Sequence, residues 1–182
     1  MHFEKPGKIN TEATLSMAFE RGRKAGLSEV VVSSTTGETA YKALEIFRGF
    51  KIVAVTYHCG FREPFKSVMK KDARRDLEKK GVRVVSATHA LSGVERSIAK
   101  KYGGSYPALL IADTLRLFGH GVKVAVEVSI MAADAGVLSG KDIVSAGGTS
   151  KGVDAALVLK PAGQSDMFDI RIREVICKPK NF

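Results

Sequence analysis

The sequence predicts an α/β fold of three layers, in which a mainly parallel sheet carries helices on both faces and has an antiparallel edge. Short apolar runs rich in valine and isoleucine recur along the chain, as in the buried strands of a parallel sheet. Segments with apolar residues at helical spacing separate most of these runs. The last two runs have no helix between them, and this indicates the antiparallel edge.

Each element of the first half follows from its apolar pattern and from the residues at its ends. Asparagine or threonine can cap the first helix, and glycines follow helical segments. The expected elements are a helix from Asn10 or Thr11 to Gly26, a strand over 30–32, a helix over 38–48, a strand from Lys51, a basic amphipathic helix over 63–80 and a strand from Val82. The basic helix is expected to bury Phe65, Val68, Met69 and Leu77.

The second half begins with a helical segment from Ser92 and a helix over 107–118, which has proline in its first turn. The segment VKVAVEVSIMAADAG, from Val122, is expected to begin as a strand, and its later half is left open between strand and helix. Three further strands are expected from Asp142, Asp154 and Phe168. The last of them alternates apolar and charged residues, which is typical of a half-exposed strand.

The composition narrows the classes of function. The 182 residues, 45% of them hydrophobic, predict one domain over 1–182, and the loops described below make it a ligand-binding domain. The 29 basic residues exceed the 19 acidic ones but are scattered among them, so the pattern does not favour a nucleic-acid partner. No apolar run could span a bilayer and no signal peptide is recognised, so we expect a cytoplasmic protein without a membrane partner. The scarcity of side-chain amides, which are Asn10, Gln164 and Asn181, is typical of a high-temperature organism.

Unusual residues gather where the predicted strands end, which is where open parallel sheets bind ligands. The loops at these positions are 33–39, 56–62, 86–93, 131–136 and 145–152, and the start of the first helix is expected at the same rim. The loop SSTTGET, over 33–39, offers free backbone N–H groups, hydroxyl groups and a helix N-terminus, as a phosphate or carboxylate site requires. The alternative is a helix cap with surplus hydroxyl groups. The glycine loop over 147–152 could close on the same anion, with Lys151 adding charge.

The other side chains that could bind a metal or act in catalysis form no recognised motif. His58, Cys59, His89 and His120 have no metal-ligand spacing, so no metal site is predicted. Glu127 and Asp134 are either a carboxylate pair near the rim or solvated residues. No nucleophile elbow or P-loop is present, and catalytic residues stay unassigned.

Several segments resemble known families. The order of SSTTGETA, IVAVT and KDIVSAGGTSKGVDAALVLKPA resembles the C-terminal α/β domain of pyruvate kinase, whose two corresponding loops bind a phosphorylated effector. The fuller set, which adds NTEATL, THALSGVERSI and MAADAG, is similar to an archaeal family of stand-alone proteins with this domain. The catalytic barrel of pyruvate kinase has no counterpart here, so the resemblance does not imply kinase activity.

The resemblance to the archaeal family implies flavin mononucleotide as the cofactor, with its phosphate in the hydroxyl loop. Tyr57, Phe61 or Met131 would supply an apolar slot for the ring, and His58 or His89 hydrogen-bond donors. The expected cofactor-binding residues are Ser33, Ser34, Thr35, Thr36, Gly37, Thr39, Thr56, His58, Gly60, Thr88, His89, Gly147, Gly148 and Thr149.

Two functions are therefore carried forward. The first is binding of a phosphorylated cofactor or effector, namely flavin mononucleotide, to which a flavin-dependent redox reaction could be added. The alternative is a non-catalytic sensor or regulatory module that binds a sugar phosphate or a nucleotide. Exposed edge strands and the likeness to pyruvate kinase also suggest a homo-oligomer.

Overall fold

Branched apolar runs form the strands and the amphipathic segments between them form the helices. The structure is a computed structural model that describes residues 1–182. Its elements are β1 His2–Phe3, α1 Thr11–Lys24, β2 Glu29–Ser33, α2 Glu38–Ile46, β3 Lys51–Tyr57, α3 Lys71–Lys79, β4 Arg83–Ala87, α4 Gly93–Tyr102, α5 Pro107–Arg116, α6 His120–Asp134, β5 Ile143–Gly147, β6 Ala155–Lys160 and β7 Arg171–Pro179. Two 3₁₀ helices span Lys8–Asn10 and Gln164–Asp169.

The seven strands form one sheet in the order β1-β7-β6-β5-β2-β3-β4. Strand β2 pairs in parallel with β3 and β5, and β3 pairs in parallel with β4. The pairs β5–β6 and β6–β7 are antiparallel, because β5 and β6 are joined by a short loop that leaves no room for a crossover helix. The predicted α/β class, with a mainly parallel sheet and an antiparallel part at one side, is confirmed. The short strand β1 lies outside β7 and pairs with it in parallel.

Helices cover both faces of this sheet, as predicted. In β2, Val30 and Val32 pack in a core that includes Leu15 of α1 and Ala43 of α2. The intervening Val31 packs in a second core, with α5 and α6. Successive side chains of a strand point to opposite faces, so the continuous apolar run reflects a strand covered on both sides.

The expected helix over 63–80 is wrong in its first half, because α3 begins only at Lys71. Phe65 has φ of 60°, which is incompatible with a continuous α-helix, and its side chain is 96% exposed. Pro64 also restricts the residue before it to extended conformations. The segment instead forms turns, in which the Lys66 N–H donates to the Glu63 carbonyl at 3.1 Å. Met69 and Leu77 are buried as expected, but Phe65 is not.

The strand expected from Val122 is also wrong, because the whole segment belongs to α6. Eleven of its 15 residues are buried, and a helix buried on most sides shows no amphipathic pattern. The C-terminus of α6 lies at the edge of the sheet opposite the carboxyl ends of the parallel strands, because Asp134 Oδ1 accepts the Gln164 N–H just after β6 at 2.8 Å. The loop over 131–136 is therefore not at the expected rim, and the N-terminus of α6 is.

The start of α1 differs in one detail. Asn10 does not cap the helix with its side chain, because its Nδ2 donates to the Lys5 carbonyl at 2.7 Å. None of the helices is both long enough and apolar enough to cross a membrane.

Candidate functional site

A cavity of about 530 Å³ lies at the carboxyl ends of β2 and β3, between the two helical layers. It is bordered by the start of α1, the loop between β2 and α2, the ends of β3 and β4, and one side of α6. Seven of the predicted cofactor-binding residues line it, namely Ser33, Thr35, Thr36, Thr39, Thr56, His89 and Gly148. Thr11 and Lys151 line it as well, so the convergence of these segments on one rim is observed.

Hydrogen bonds fix the shape of the hydroxyl loop over 33–39. The Ser34 N–H donates to the Val55 carbonyl at 2.9 Å, and Thr56 Oγ1 donates to the Thr35 carbonyl at 2.9 Å. Ser34 Oγ accepts the Ala40 N–H at 3.1 Å, so this buried hydroxyl caps α2. Gly37 has φ of 105°, a conformation that favours glycine. The loop is held from β3 on one side and from α2 on the other.

This loop presents a row of free donors. The backbone N–H groups of five consecutive residues, Thr35 to Thr39, have no hydrogen-bond acceptor in the protein. They precede or open α2, whose N-terminus carries the positive end of the helix dipole. Consecutive free N–H groups at a helix start are the usual backbone arrangement for binding an anion.

The late glycine loop, residues 147–152, closes the cavity from the side of α1. Asp154 is fully buried, and its Oδ2 accepts the N–H groups of Gly7 at 2.8 Å and Thr149 at 3.3 Å. Thr11 Oγ1 accepts the Val153 N–H at 3.2 Å. A Cβ at Gly148 would collide with the Gly152 carbonyl, so only glycine fits this turn. These contacts hold the late loop and the start of α1 together beside the hydroxyl loop.

The cavity wall is rich in positive charge. Seven lysine or arginine residues line it against two glutamates, Glu38 and Glu127. Lys8 pairs with Glu38 at 2.5 Å, but both side chains are more than half exposed, so the pair is weak. Arg62, Arg96 and Lys151 are in no ion pair. A dianionic ligand would therefore find uncompensated positive charge here.

Aromatic rings form another part of the cavity wall. The Phe61 ring stacks on the His89 ring with centroids 4.7 Å apart and lies 4.2 Å from the Tyr57 ring. Arg96 covers the Phe61 ring at 5.6 Å. Burial lowers the pKa of His89 to about 4, so its imidazole is neutral near pH 7. Met131 also lines the cavity.

The cavity wall also contains a buried ion pair that the sequence analysis did not predict. Lys123 Nζ donates to Glu127 Oε2 at 2.5 Å, and both residues line the cavity. Burial lowers the pKa of Lys123, although Glu127 lies beside it. Burial also lowers the pKa of His120, at the start of α6. The pair was not predicted because its segment was expected to begin as a strand. Alternate side chains of a half-exposed strand face solvent, so Glu127 could equally be a solvated residue.

Seven predicted residues do not line the cavity, namely Ser34, Gly37, His58, Gly60, Thr88, Gly147 and Thr149. Ser34 and Gly37 shape the hydroxyl loop, and a Cβ at Gly147 would collide with the backbone of α6. Thr149 binds Asp154 through its backbone, and the ring of His58 packs edge-on against Phe61 at 5.4 Å. Gly60 takes φ of 86° in the turn after β3, and Thr88 is exposed.

The prediction also omitted cationic side chains that line the cavity, namely Lys8, Lys42, Arg62, Arg96, Arg116 and Lys123. They come from separate elements, and no local motif connects them. Their only signal in the sequence is the excess of basic residues. No group of three or more His, Cys, Asp or Glu side chains is placed to hold a metal ion.

Among solved structures, the chain is similar to pyruvate kinases of Cryptosporidium parvum. One in complex with ADP is 16% identical, with 88% of this chain and 25% of that chain covered and a TM-score of 0.45. A second is 16% identical over 87% of this chain and 24% of that chain, with a TM-score of 0.45. A third is 18% identical over 77% and 21%, with a TM-score of 0.37. The chain spans about a quarter of the length of these enzymes.

The family model for the α/β domain of pyruvate kinase matches residues 12–159, which is most of the chain. This match corrects the expectation that the chain is a flavoprotein that binds flavin mononucleotide. The matched family is a domain of pyruvate kinases, and it does not indicate a flavin. The matched segment includes the hydroxyl loop, the late glycine loop and all of α6. The chain therefore belongs to the pyruvate kinase α/β domain family.

Proposed function

We propose that this chain is a regulatory domain that binds a phosphorylated small molecule, a sugar phosphate or a nucleotide, in the cavity described above. The observation that carries this proposal is the row of five free backbone N–H groups from Thr35 to Thr39. A phosphate group can accept several of these hydrogen bonds at once, and the start of α2 favours its negative charge.

The surroundings of the loop support the same ligand class. Lys8 lowers the pKa of the Glu38 carboxyl through its hydrogen bond and charge, and the charges of Lys151 and Lys42 lower it further. These three lysines line the cavity beside the hydroxyl loop and add positive charge where a phosphate would bind. The resemblance to the effector-binding loops of pyruvate kinase is consistent with a regulatory role.

Replacing Thr36 with glutamate tests the proposal. Thr36 is exposed, lines the cavity and makes no side-chain hydrogen bond, so a longer acidic side chain should fit without unfolding the loop. Its carboxylate would sit among the free N–H groups and repel a phosphate. We expect the Kd for inorganic phosphate, measured by calorimetry at low ionic strength, to rise by more than about tenfold, or about 1.4 kcal/mol.

The matched control is Thr114→Glu, which adds the same charge at an exposed position of α5 outside the cavity. We expect this variant to bind phosphate as the wild type does. Unchanged phosphate binding by Thr36→Glu, with a native thermal melting curve, would place the ligand elsewhere and refute the proposal.

A further inference from the structure

Lys123 and Glu127 of α6 form a buried ion pair in the wall of the cavity. A pair that served only to stabilise the fold would have no need to face a ligand. Lys123 is 3% exposed and Glu127 is 2% exposed. Glu127 Oε2 accepts a hydrogen bond from Lys123 at 2.5 Å, and Oε1 accepts the Leu91 N–H at 3.0 Å. Two charges this deeply buried need hydrogen-bond partners for their remaining capacity.

The unused hydrogen-bonding capacity consists of donors on Lys123 and acceptors on Glu127. The Lys123 ammonium has three hydrogens, and only the one directed at Glu127 has an acceptor in the protein. Each Glu127 oxygen accepts one protein hydrogen bond and retains a further lone pair. The pair therefore offers both donors and acceptors to whatever occupies the cavity.

His89 adds a third group on the same wall. Its Nδ1 is buried and has no hydrogen-bond partner, so we place the single hydrogen of the neutral ring on Nε2. The ring is held flat against Phe61, with centroids 4.7 Å apart. With its hydrogen on Nε2, His89 is a donor that carries no charge.

A hydroxyl group matches this set of groups, because it donates and accepts. A second phosphate would accept from Lys123 but could not donate to Glu127, and it would bring two negative charges together. Arg96 and Arg116 act on Lys123 electrostatically, so positive charge is also present nearby. The Arg116 guanidinium is already paired with Asp113, and Arg96 lies over the Phe61 ring at 5.6 Å. Because the Glu127 carboxylate repels a phosphate and accepts hydrogen bonds from hydroxyl groups, we expect hydroxyl groups at this position.

We propose that Lys123, Glu127 and His89 form a second subsite, which binds the hydroxyl groups of the phosphorylated ligand. The inference rests on the proposed function and makes it more specific. The ligand is then a phosphate monoester with a hydroxylated chain or ring, whose phosphate binds the hydroxyl loop and whose hydroxyl groups reach α6.

Calorimetry with three probes tests this subsite in the full chain. Inorganic phosphate measures the phosphate loop alone, ribose 5-phosphate adds hydroxyl groups, and butane-1,4-diol bisphosphate adds a second phosphate without hydroxyl groups. We expect ribose 5-phosphate to bind at least about tenfold more tightly than inorganic phosphate and also more tightly than the bisphosphate. Equal affinity for phosphate and ribose 5-phosphate, or tighter binding of the bisphosphate, would overturn the inference.

Two variants test whether Glu127 and His89 cause the preference for ribose 5-phosphate. Glu127→Gln and His89→Phe should each reduce the advantage of ribose 5-phosphate to within about threefold of the same variant's affinity for inorganic phosphate. His89→Phe keeps a flat ring beside Phe61 and buries no charge, so it remains informative if Glu127→Gln fails to fold. His58→Phe is the matched control, because His58 touches the same Phe61 ring but does not line the cavity.

The outcomes separate the two proposals. If phosphate does not bind, or Thr36→Glu binds it normally, the proposed function fails and the subsite fails with it. If phosphate binds at the hydroxyl loop but His89→Phe and Glu127→Gln retain the full preference for ribose 5-phosphate, only the second subsite is refuted.

Discussion

Thr56→Val isolates the hydrogen bond that joins β3 to the hydroxyl loop. Thr56 is 5% exposed, and its Oγ1 donates to the Thr35 carbonyl at 2.9 Å. Valine has nearly the same shape, so the change removes the hydroxyl without leaving a cavity. The net value of such a bond is roughly 0.5–1.5 kcal/mol, and the buried valine methyl group offsets little of it. We expect the free energy of unfolding to fall by about 1 kcal/mol.

The same variant should weaken ligand binding. Without the bond to Thr56, the Thr35 carbonyl is no longer fixed, and the adjacent free N–H groups lose their common orientation. We expect the Kd for inorganic phosphate to rise about threefold to tenfold. Urea unfolding followed by circular dichroism measures the stability, and calorimetry measures the affinity.

Thr14→Val is the matched control for this change. Thr14 is also buried, but its Oγ1 has no nitrogen or oxygen partner and lies beside the thiol of Cys177, a weak partner. We expect its stability to change by less than about 0.5 kcal/mol and its affinity for phosphate not to change. Equal losses of stability in the two variants, or normal phosphate binding by Thr56→Val, would refute the reasoning.

Three further predictions follow from burial. Burial holds the pKa of His89 near 4, below the usual 6.5, so the unfolded chain binds the proton first as the pH falls. The free energy of unfolding should therefore decrease between about pH 6.5 and pH 4, and it should decrease less steeply in His89→Phe. Equal slopes against pH for the wild type and this variant, measured by urea titrations, would contradict the prediction. Burial raises the pKa of the Cys177 thiol to about 11, whereas Cys59 is exposed, so iodoacetamide should label only Cys59 in the native protein, as mass spectrometry would show. Gly121→Ala should lower the melting temperature by several degrees, because its Cβ would collide with Asp154; an unchanged melting curve would show that α6 can shift.

The β2 strand and the loop after it show what local sequence could predict. Val30 to Val32 form a short, continuously apolar run, and such a run is stable only when both faces of the strand are covered. The hydroxyl residues and Gly37 that follow form a loop with free N–H groups through their own backbone conformation. Both signals lie within short stretches of the sequence, so the sequence alone predicted the α/β class and the position of the hydroxyl loop, whereas bonds from Val55 and Thr56 of β3 hold the loop in its shape.

The part of the cavity wall that α6 forms could not be predicted in this way. The residues of α6 include valines at alternate positions, which favour a strand locally. Burial against the sheet and α5 stabilises them as a helix. That helix places Lys123 and Glu127 one turn apart in the cavity wall, near His89, which follows a different strand. Contacts between residues far apart in the chain carry no local pattern. The tertiary structure alone therefore determined which charged groups line the cavity.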